Sequence, residues 1–302
     1  MSASFAKALE AAHDAAGSQN HPASTLYVVA TPIGNLADIS LRALHVLSQV
    51  DAIACEDTRH TQQLLRAYGL DRPSSQLLAV HQHNEAEAAQ NVIARLAQGE
   101  RVAYVSDAGT PAISDPGARL VSAVRQAAYR VLPLPGASSV TTALSASGMT
   151  GDDGFVFAGF LSSKTAERHE AVQSLAQEGR AVVLLEAPHR IEALAQALSV
   201  LGERRITVGR ELTKQFEQIE TVTAQDLPAW LADKPERQRG EFVLVLHDAP
   251  VVPAKGEGLR ILQLLLPELP LKTAVKLTAE ITGESKNQLY DQALNLKKNE
   301  AG

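Results

Sequence analysis

The chain has 302 residues, 45% of them hydrophobic and 4% aromatic, one cysteine, and a formal net charge of −6. That length favours two domains, and that apolar content supports a sizeable, mainly aliphatic core. One cysteine excludes an intrachain disulfide and a zinc–cysteine cluster, and the acidic balance argues against a surface coated in basic charge, the usual footprint of a nucleic-acid binder, although a local basic patch still fits.

Residues 1–24 contain Glu10 and Asp14 and lack the apolar core of a secretory signal. They are expected to be a disordered extension, with a loose Ala-rich helix as the other option. No run approaches the length of a membrane span, and the expected compartment is the cytoplasm. Leu26 to Ala30 reads as a buried strand, broken by the turn residues of Thr31-Pro32-Ile33-Gly34-Asn35. Asp38 or Ser40 then caps a helix through Leu41, Leu44 and Leu47. Asp51 to Cys55 is a second strand, followed by Glu56-Asp57-Thr58-Arg59-His60-Thr61 and a helix through Leu64, Leu65 and Tyr68. Leu77 to Val80 is a third strand, and a helix runs from about Glu87 to Ala97.

Val102 to Val105 leads into the stretch that organises the chain, Ser106 to Gly117. It is a strand-to-helix loop too rich in Gly, Pro and hydroxyls for a minimal turn, with Asp115 expected as N-cap and Pro116 as the first helical residue. Val131 to Leu134 is a further strand, delivering Pro135-Gly136-Ala137-Ser138-Ser139 and a small-residue helix. Strand and helix alternate, which predicts a mostly parallel sheet covered on both faces. Residues 25–148 therefore read as an N-terminal α/β domain, with a break at Gly148 to Gly154. Residues 149–250 read as a second α/β domain whose mixed strand spacings predict a sheet that is not all parallel. Residues 251–302 read as a linker and a tail of three helices with helix-turn-helix spacing.

Parallel strands place the loops Thr31 to Asn35, Asp107 to Pro116, and Pro135 to Ser139 on one edge, where ligands bind in open α/β sheets. None carries a P-loop Gly-Lys-Ser/Thr, and no Gly-x-Gly-x-x-Gly follows a strand. A cofactor with ribose hydroxyls, an amino acid portion and no phosphates matches such a lining. His81 and His83 look like a metal pair, yet no further ligand cluster is visible, and no metal is assigned.

The motifs at residues 26–40, Glu-Asp-Thr-Arg-His-Thr (56–61), Ser-Asp-Ala-Gly-Thr-Pro-Ala-Ile-Ser-Asp-Pro-Gly (106–117), Leu-Pro-Gly-Ala-Ser-Ser (134–139), Glu-Ala-Pro-His-Arg (186–190), Gly-Arg-Glu-Leu-Thr-Lys (209–214) and Arg-Gly-Glu-Phe-Val-Leu (239–244) stand in order along the chain. From about residue 25 to about 250 the chain resembles the tetrapyrrole methylase superfamily, and within it the bacterial 16S ribosomal RNA cytidine 2′-O-methyltransferases. Where tetrapyrrole-directed members have Gly-Asp-Pro, this chain has Gly109-Thr110-Pro111, and their Gly-x-Gly-Pro-Gly is here Thr-Pro-Ile-Gly-Asn. Both departures point to the RNA-modifying branch.

The resemblance implies two α/β domains with S-adenosylmethionine bound in the cleft between them, a homodimer, and small-subunit 16S rRNA, at its decoding region, as substrate. The cofactor-binding residues it implies are Pro32, Gly34, Asn35, Asp107, Gly109, Thr110, Ile113, Gly136, Ser138, Ala187 and Pro188. For the chemical step, a 2′-hydroxyl is a weak acid that benefits from a base or a cation. The candidates are Glu186, His189, Arg59 and Lys164, with Glu186 either accepting a proton, holding a ribose hydroxyl or capping a helix. RNA phosphate contacts are expected from Arg190, Arg210, Lys214 and Lys286, against the plainer reading of Arg210 and Lys214 as a salt-bridged face. Two other readings stand beside this one: a methyltransferase acting on a small tetrapyrrole-like molecule, and a ribosome- or nucleic-acid-binding protein acting through its tail, where Lys272, Lys276, Lys286, Lys297 and Lys298 cluster.

Overall fold

The computed structural model describes residues 5–81, 84–151, 153–250 and 257–300. His83 and most of the linker from Pro250 to Gly258 therefore lie outside the described residues. The first lobe alternates α1 (Ala6–Ala16), β1 (Thr25–Val29), α2 (Leu41–Gln49), β2 (Ala52–Cys55), α3 (Thr58–Ala67), β3 (Leu77–Ala79), α4 (Glu85–Ala97), β4 (Arg101–Val105), α5 (Ala118–Gln126), β5 (Arg130–Leu134) and α6 (Ser139–Ala146). Its strands are all parallel, in the order β3-β2-β4-β1-β5. The side-chain alternation of β1 divides the core. Leu26 faces Val92, Leu96, Leu120 and Val124 of α4 and α5, whereas Tyr27 and Val29 face Val46 and Leu47 of α2. Fully burying each such aliphatic side chain stabilises the fold by about 1.5–3 kcal/mol.

The second lobe contains β6 (Phe155–Gly159), α7 (Thr165–Ala176), β7 (Ala181–Glu186), α8 (Ile191–Leu198), β8 (Arg205–Arg210), β9 (Gln218–Thr223), α9 (Leu227–Asp233) and β10 (Phe242–Leu246). Its sheet runs β6-β7-β10-β8-β9. β6 and β7 are parallel, and β10 is antiparallel to both of its neighbours, so the sheet is mixed. One face packs on α7, α8 and α9. The other face, through Val183, Val243 and Val245, packs on Val140 and Ala143 of α6 with Leu212 and Ile33, and so joins the two lobes. The tail comprises α10 (Glu257–Leu265), α11 (Leu271–Thr282) and α12 (Lys286–Glu300), with its own core of Leu262, Ala274, Val275, Leu289 and Ala293. Gly283, at φ +70°, ends α11 in the left-handed conformation.

Two expectations are corrected. The extension expected to be disordered is helical over Ala6–Ala16: Ala12 and Ala16 are buried, and the Phe5 ring meets Tyr68 edge-on at 5.3 Å. Its small apolar residues had a groove beside α2 and α3 to fill, a tertiary fact that composition does not reveal. The second correction concerns α5, which does not begin at Asp115 and Pro116. Gly117, at φ +120°, is its N-cap, and the helix starts at Ala118. The Tyr104 ring lies under Gly117, where a Cβ would come within 2.1 Å of the ring, and the Tyr104 hydroxyl donates to the Pro116 carbonyl. The cap acceptor comes from elsewhere: buried Glu85 Oε1 accepts from the N–H groups of Gly117, Arg119 and Leu120 at 3.0, 2.8 and 3.1 Å.

Candidate active site

Strand order builds the site. β1 lies between β4 and β5, so the loops that follow these three parallel strands leave one sheet edge side by side, where the chain crosses from β4 to β5. Hydrogen bonds tie the loops together. Thr31 and Gly109 exchange backbone bonds of 2.9 and 3.0 Å, Thr31 Oγ1 donates to the Ser106 carbonyl at 3.2 Å, and Thr110 Oγ1 donates to the Ala137 carbonyl at 3.1 Å. Two glycines permit the closeness. Gly109 sits at φ +82°, and at Gly136 a Cβ would lie 2.8 Å from that of Ala30.

These loops form one wall of a cavity of about 330 Å³. From the first lobe it is lined by Ile33, Ala108, Gly109, Thr110, Ile113, Ser114, Asp115, Ser138, Ser139 and Val140; from the second by Phe160, Leu185, Glu186, Ala187, Pro188, Leu212, Glu241, Phe242 and Val243. The volume and the largely apolar lining with a few polar groups are those of a small-molecule site. Ala112 and Ser114 hold φ values of 66° and 63°, a conformation non-glycine residues adopt at a cost and one found most often at functional loops.

Carboxylates stand along the cavity and the sheet edge beside it. Burial pushes the Asp115 carboxyl above its usual range, against the Ser106 hydrogen bond and with help from the charge of Asp107. Burial likewise raises Glu56, assisted by Asp107 and Asp115. Asp107 Oδ1 accepts from the Asp57 N–H at 3.2 Å, and Asp57 itself caps α3 by accepting from the N–H groups of Arg59 and His60. Glu186, at the end of β7, has a fully buried side chain. Its Oε1 accepts from the Ala187 N–H at 2.9 Å and lies 3.0 Å from Arg190 Nε, an ion pair in which that N–H is not aimed at the oxygen. Its Oε2 is buried with no protein partner.

Of the residues expected to bind a cofactor, Gly109, Thr110, Ile113, Ser138, Ala187 and Pro188 line the cavity. Pro32, Gly34, Asn35, Asp107 and Gly136 lie in the same loops without lining it. Asn35 Oδ1 accepts from the Ala37 N–H at 3.0 Å, a local cap. Among the candidates for chemistry, Glu186 alone lines the cavity. His189 is exposed beyond Pro188, Arg59 is exposed on the first turn of α3, and Lys164 is exposed and paired with Glu167 at 2.7 Å. Of the expected phosphate contacts, Arg190 donates to the Leu161 carbonyl as well as facing Glu186, and Arg210 is buried, with Nη1 3.4 Å from the Arg239 carbonyl. Lys214 Nζ lies between Glu211 Oε1 and Glu241 Oε2, 2.9 Å from each. Lys286 is exposed at the start of α12. The sequence reading missed Ile33, which stands between Pro32 and Gly34, and Val140, Phe160, Leu212, Leu185, Phe242, Val243 and Glu241. The last three enter because β10 pairs with β7, Phe242 opposite Glu186 and Val243 opposite Leu185.

Two lobes enclosing such a cleft define a class that sequence comparison makes specific. The chain belongs to the tetrapyrrole (corrin/porphyrin) methylases, whose family model matches residues 25–228. Its tail, residues 252–297, matches the RsmI C-terminal HTH domain. The chain is 49% identical over 278 residues to ribosomal RNA small subunit methyltransferase I of Pseudomonas aeruginosa, covering 90% of this chain and 97% of that protein. Against its counterpart in Vibrio cholerae identity is 48%, over 90% of this chain and 95% of the relative. The fold is similar to cobalt precorrin-4 methyltransferase, a cobalamin biosynthetic enzyme, with a TM-score of 0.54 and 19% identity over 74% of this chain and 94% of that one. A uroporphyrin-III-C-methyltransferase from Thermus thermophilus aligns with a TM-score of 0.52 and 22% identity, over the same shares of each chain.

Proposed function

We propose that the protein transfers a methyl group from S-adenosylmethionine to the ribose 2′-hydroxyl of a cytidine in 16S ribosomal RNA, at the decoding region of the small subunit. The carrying observation is the cavity between the lobes. It joins polar loops that lack any triphosphate-cradling motif to a buried carboxylate oxygen, Glu186 Oε2, with no partner of its own. A buried acceptor left without a donor is costly, and a ribose hydroxyl or an amine satisfies it, whereas a phosphate is repelled. The names of the relatives, small-subunit ribosomal RNA methyltransferases across nearly their whole length, support the choice of RNA as substrate.

When bound, the donor supplies a methyl group on a sulfonium, a carbon already activated for displacement. The chain's work is then alignment and exclusion of water. In this reading Gly109, Thr110, Ile113, Ser138, Ala187 and Pro188 hold the donor, and Pro32, Gly34, Asn35, Asp107 and Gly136 shape the loops that present them. Glu186 holds a hydroxyl or takes the acceptor's proton. Exposed Arg59, His189 and Lys164 orient the RNA near the reacting oxygen. Arg190 and Arg210 act through the contacts they already make, and Lys286 brings the tail to phosphate. The active species in this reading is a cytoplasmic homodimer.

The test is incubation with labelled S-adenosylmethionine and small ribosomal subunits from cells lacking the activity. Label is expected on a cytidine ribose of 16S RNA; label on a base, or none, refutes the proposal. Asp107→Ala is expected to remove donor binding while leaving the unfolding transition in place, and unchanged affinity in calorimetry would refute the role given to that loop.

A further inference from the structure

The loop after β8 reaches across the cleft. Glu211 and Thr213 hold φ values of 50° and 67°, so two non-glycine residues in three are left-handed. That curl brings the stem of Lys214 onto Gly34 in the opposite lobe. A Cβ at Gly34 would lie 2.4 Å from Lys214 Cγ, 3.0 Å from Lys214 Cε and 3.0 Å from Thr213 Oγ1. The ammonium end is anchored at home: Nζ contacts Glu211 Oε1 and Glu241 Oε2, and Glu211 Oε1 also accepts from the Glu241 N–H at 2.9 Å. Glu211 in turn lies against Gly240, where a Cβ would come within 2.4 Å of its Cγ. Three residues of this assembly or adjoining it, Ile33, Leu212 and Glu241, line the cavity.

We propose that Lys214 is a positioning residue that clasps the two lobes over the cavity, its stem seated on Gly34 and its ammonium fixed by Glu211 and Glu241. The function of the clasp rests on reading the cavity as the methyl-donor site. Lys214 is 28% exposed and its charge is already shared between two carboxylates. Burial acts to raise the Glu211 carboxyl, but the bonds from Lys214 and the Glu241 N–H outweigh it and hold the group below its ordinary range. Phosphate would have to displace both carboxylates to reach this ammonium. Removing the ammonium leaves Glu211 and Glu241 facing each other, and removing the stem leaves Gly34 without its cover. Either change loosens the wall that carries Ile33 and Leu212. The reacting atoms are not touched, so the donor's affinity suffers and the chemical step does not.

The test is a double-mutant cycle on the full chain, titrated with S-adenosylmethionine. Lys214→Ala and Gly34→Ala each weaken donor binding by about tenfold, the scale of one charge-assisted contact. In the double variant the two losses do not multiply, because the added methyl no longer meets the lysine stem. Lys214→Arg recovers most of the affinity, and in the Lys214 variants the loss falls on the KM for the donor rather than on kcat. Multiplicative losses overturn the proposal. So does a Lys214→Ala variant with unchanged donor affinity whose RNA binding is weakened and whose salt slope falls by about one. The same cycle read by urea unfolding needs no donor. If the wild-type protein binds no donor, the reading of the cavity fails, while non-additive unfolding energies still support the clasp and additive ones overturn it.

Discussion

Thr31 and Gly109 hold two loops together by exchanging both of their backbone hydrogen bonds, 2.9 Å in one direction and 3.0 Å in the other. The pairing closes the sheet edge between β1 and β4 and sets the height from which Ala108, Gly109 and Thr110 face the cavity. It needs Gly109 at φ +82°, with the Ile33 side chain 3.2 Å from where a Cβ would be.

Gly109→Ala is therefore expected to cost about 1–2 kcal/mol of stability through the left-handed conformation alone. It is also expected to weaken S-adenosylmethionine binding several-fold, since the loop must shift to admit the methyl group. Urea unfolding and calorimetry measure the two effects. Wild-type stability together with wild-type affinity would show that the bridge does not govern the site.

Glu85 supplies by tertiary contact the cap that α5 lacks in its own sequence. Glu85→Ala leaves the N–H groups of Gly117, Arg119 and Leu120 without their acceptor, the first and last of them at buried residues. The expected loss is about 3 kcal/mol, because hydrogen bonds to a charged acceptor are among the stronger ones and buried donors are costly to strand. Glu85→Gln keeps an oxygen in place and should lose clearly less. Equal losses in the two variants would mean that volume, not hydrogen bonding, is what Glu85 contributes.

Asp115 predicts a pH dependence. Burial raises its carboxyl pKa on folding. Between the unfolded and folded values the native state binds more protons than the unfolded chain, so this group makes stability fall as pH rises from about 4 through the folded value, with no further change above it. Asp115→Asn should make that fall shallower and give its full gain at neutral pH. Part of the slope remains, because Glu56 is raised in the same way. Chemical denaturation across the window reads it directly. A variant with an unchanged slope would remove Asp115 from the account.

Much of the first lobe was legible because its rules are local. Apolar runs of five or so residues ending in Gly, Pro and hydroxyls mark buried parallel strands, and β1, β2, β4 and β5 stand where such runs occur. Ser40 caps α2 by accepting from the Ala43 N–H at 3.1 Å, one of two caps the residues offered. The start of α5 was misread because Asp115-Pro116 satisfies every local rule for a helix start, yet the Tyr104 ring under Gly117 and the carboxylate of Glu85 fix the cap two positions later. Asp115 was left free to line the cavity.

Ordered motifs and strand-end loops determined, from the chain alone, which family this protein belongs to and which edge of the first sheet carries its polar loops. Folding in three dimensions decided what those loops face. Pairing of β10 with β7 put Phe242 and Val243 into the opposite wall, and packing of α6 on Val183, Val243 and Val245 fixed the distance across the cavity. It also brought Glu241 onto Lys214, beside the Glu211 carboxylate that stands three residues away in the chain. The physical reason is one of range. Caps, turns and apolar periodicity act over a few residues and are written in the order of the chain, whereas a cavity wall and the Lys214–Glu241 pair depend on groups far apart in sequence that meet once the sheets are packed.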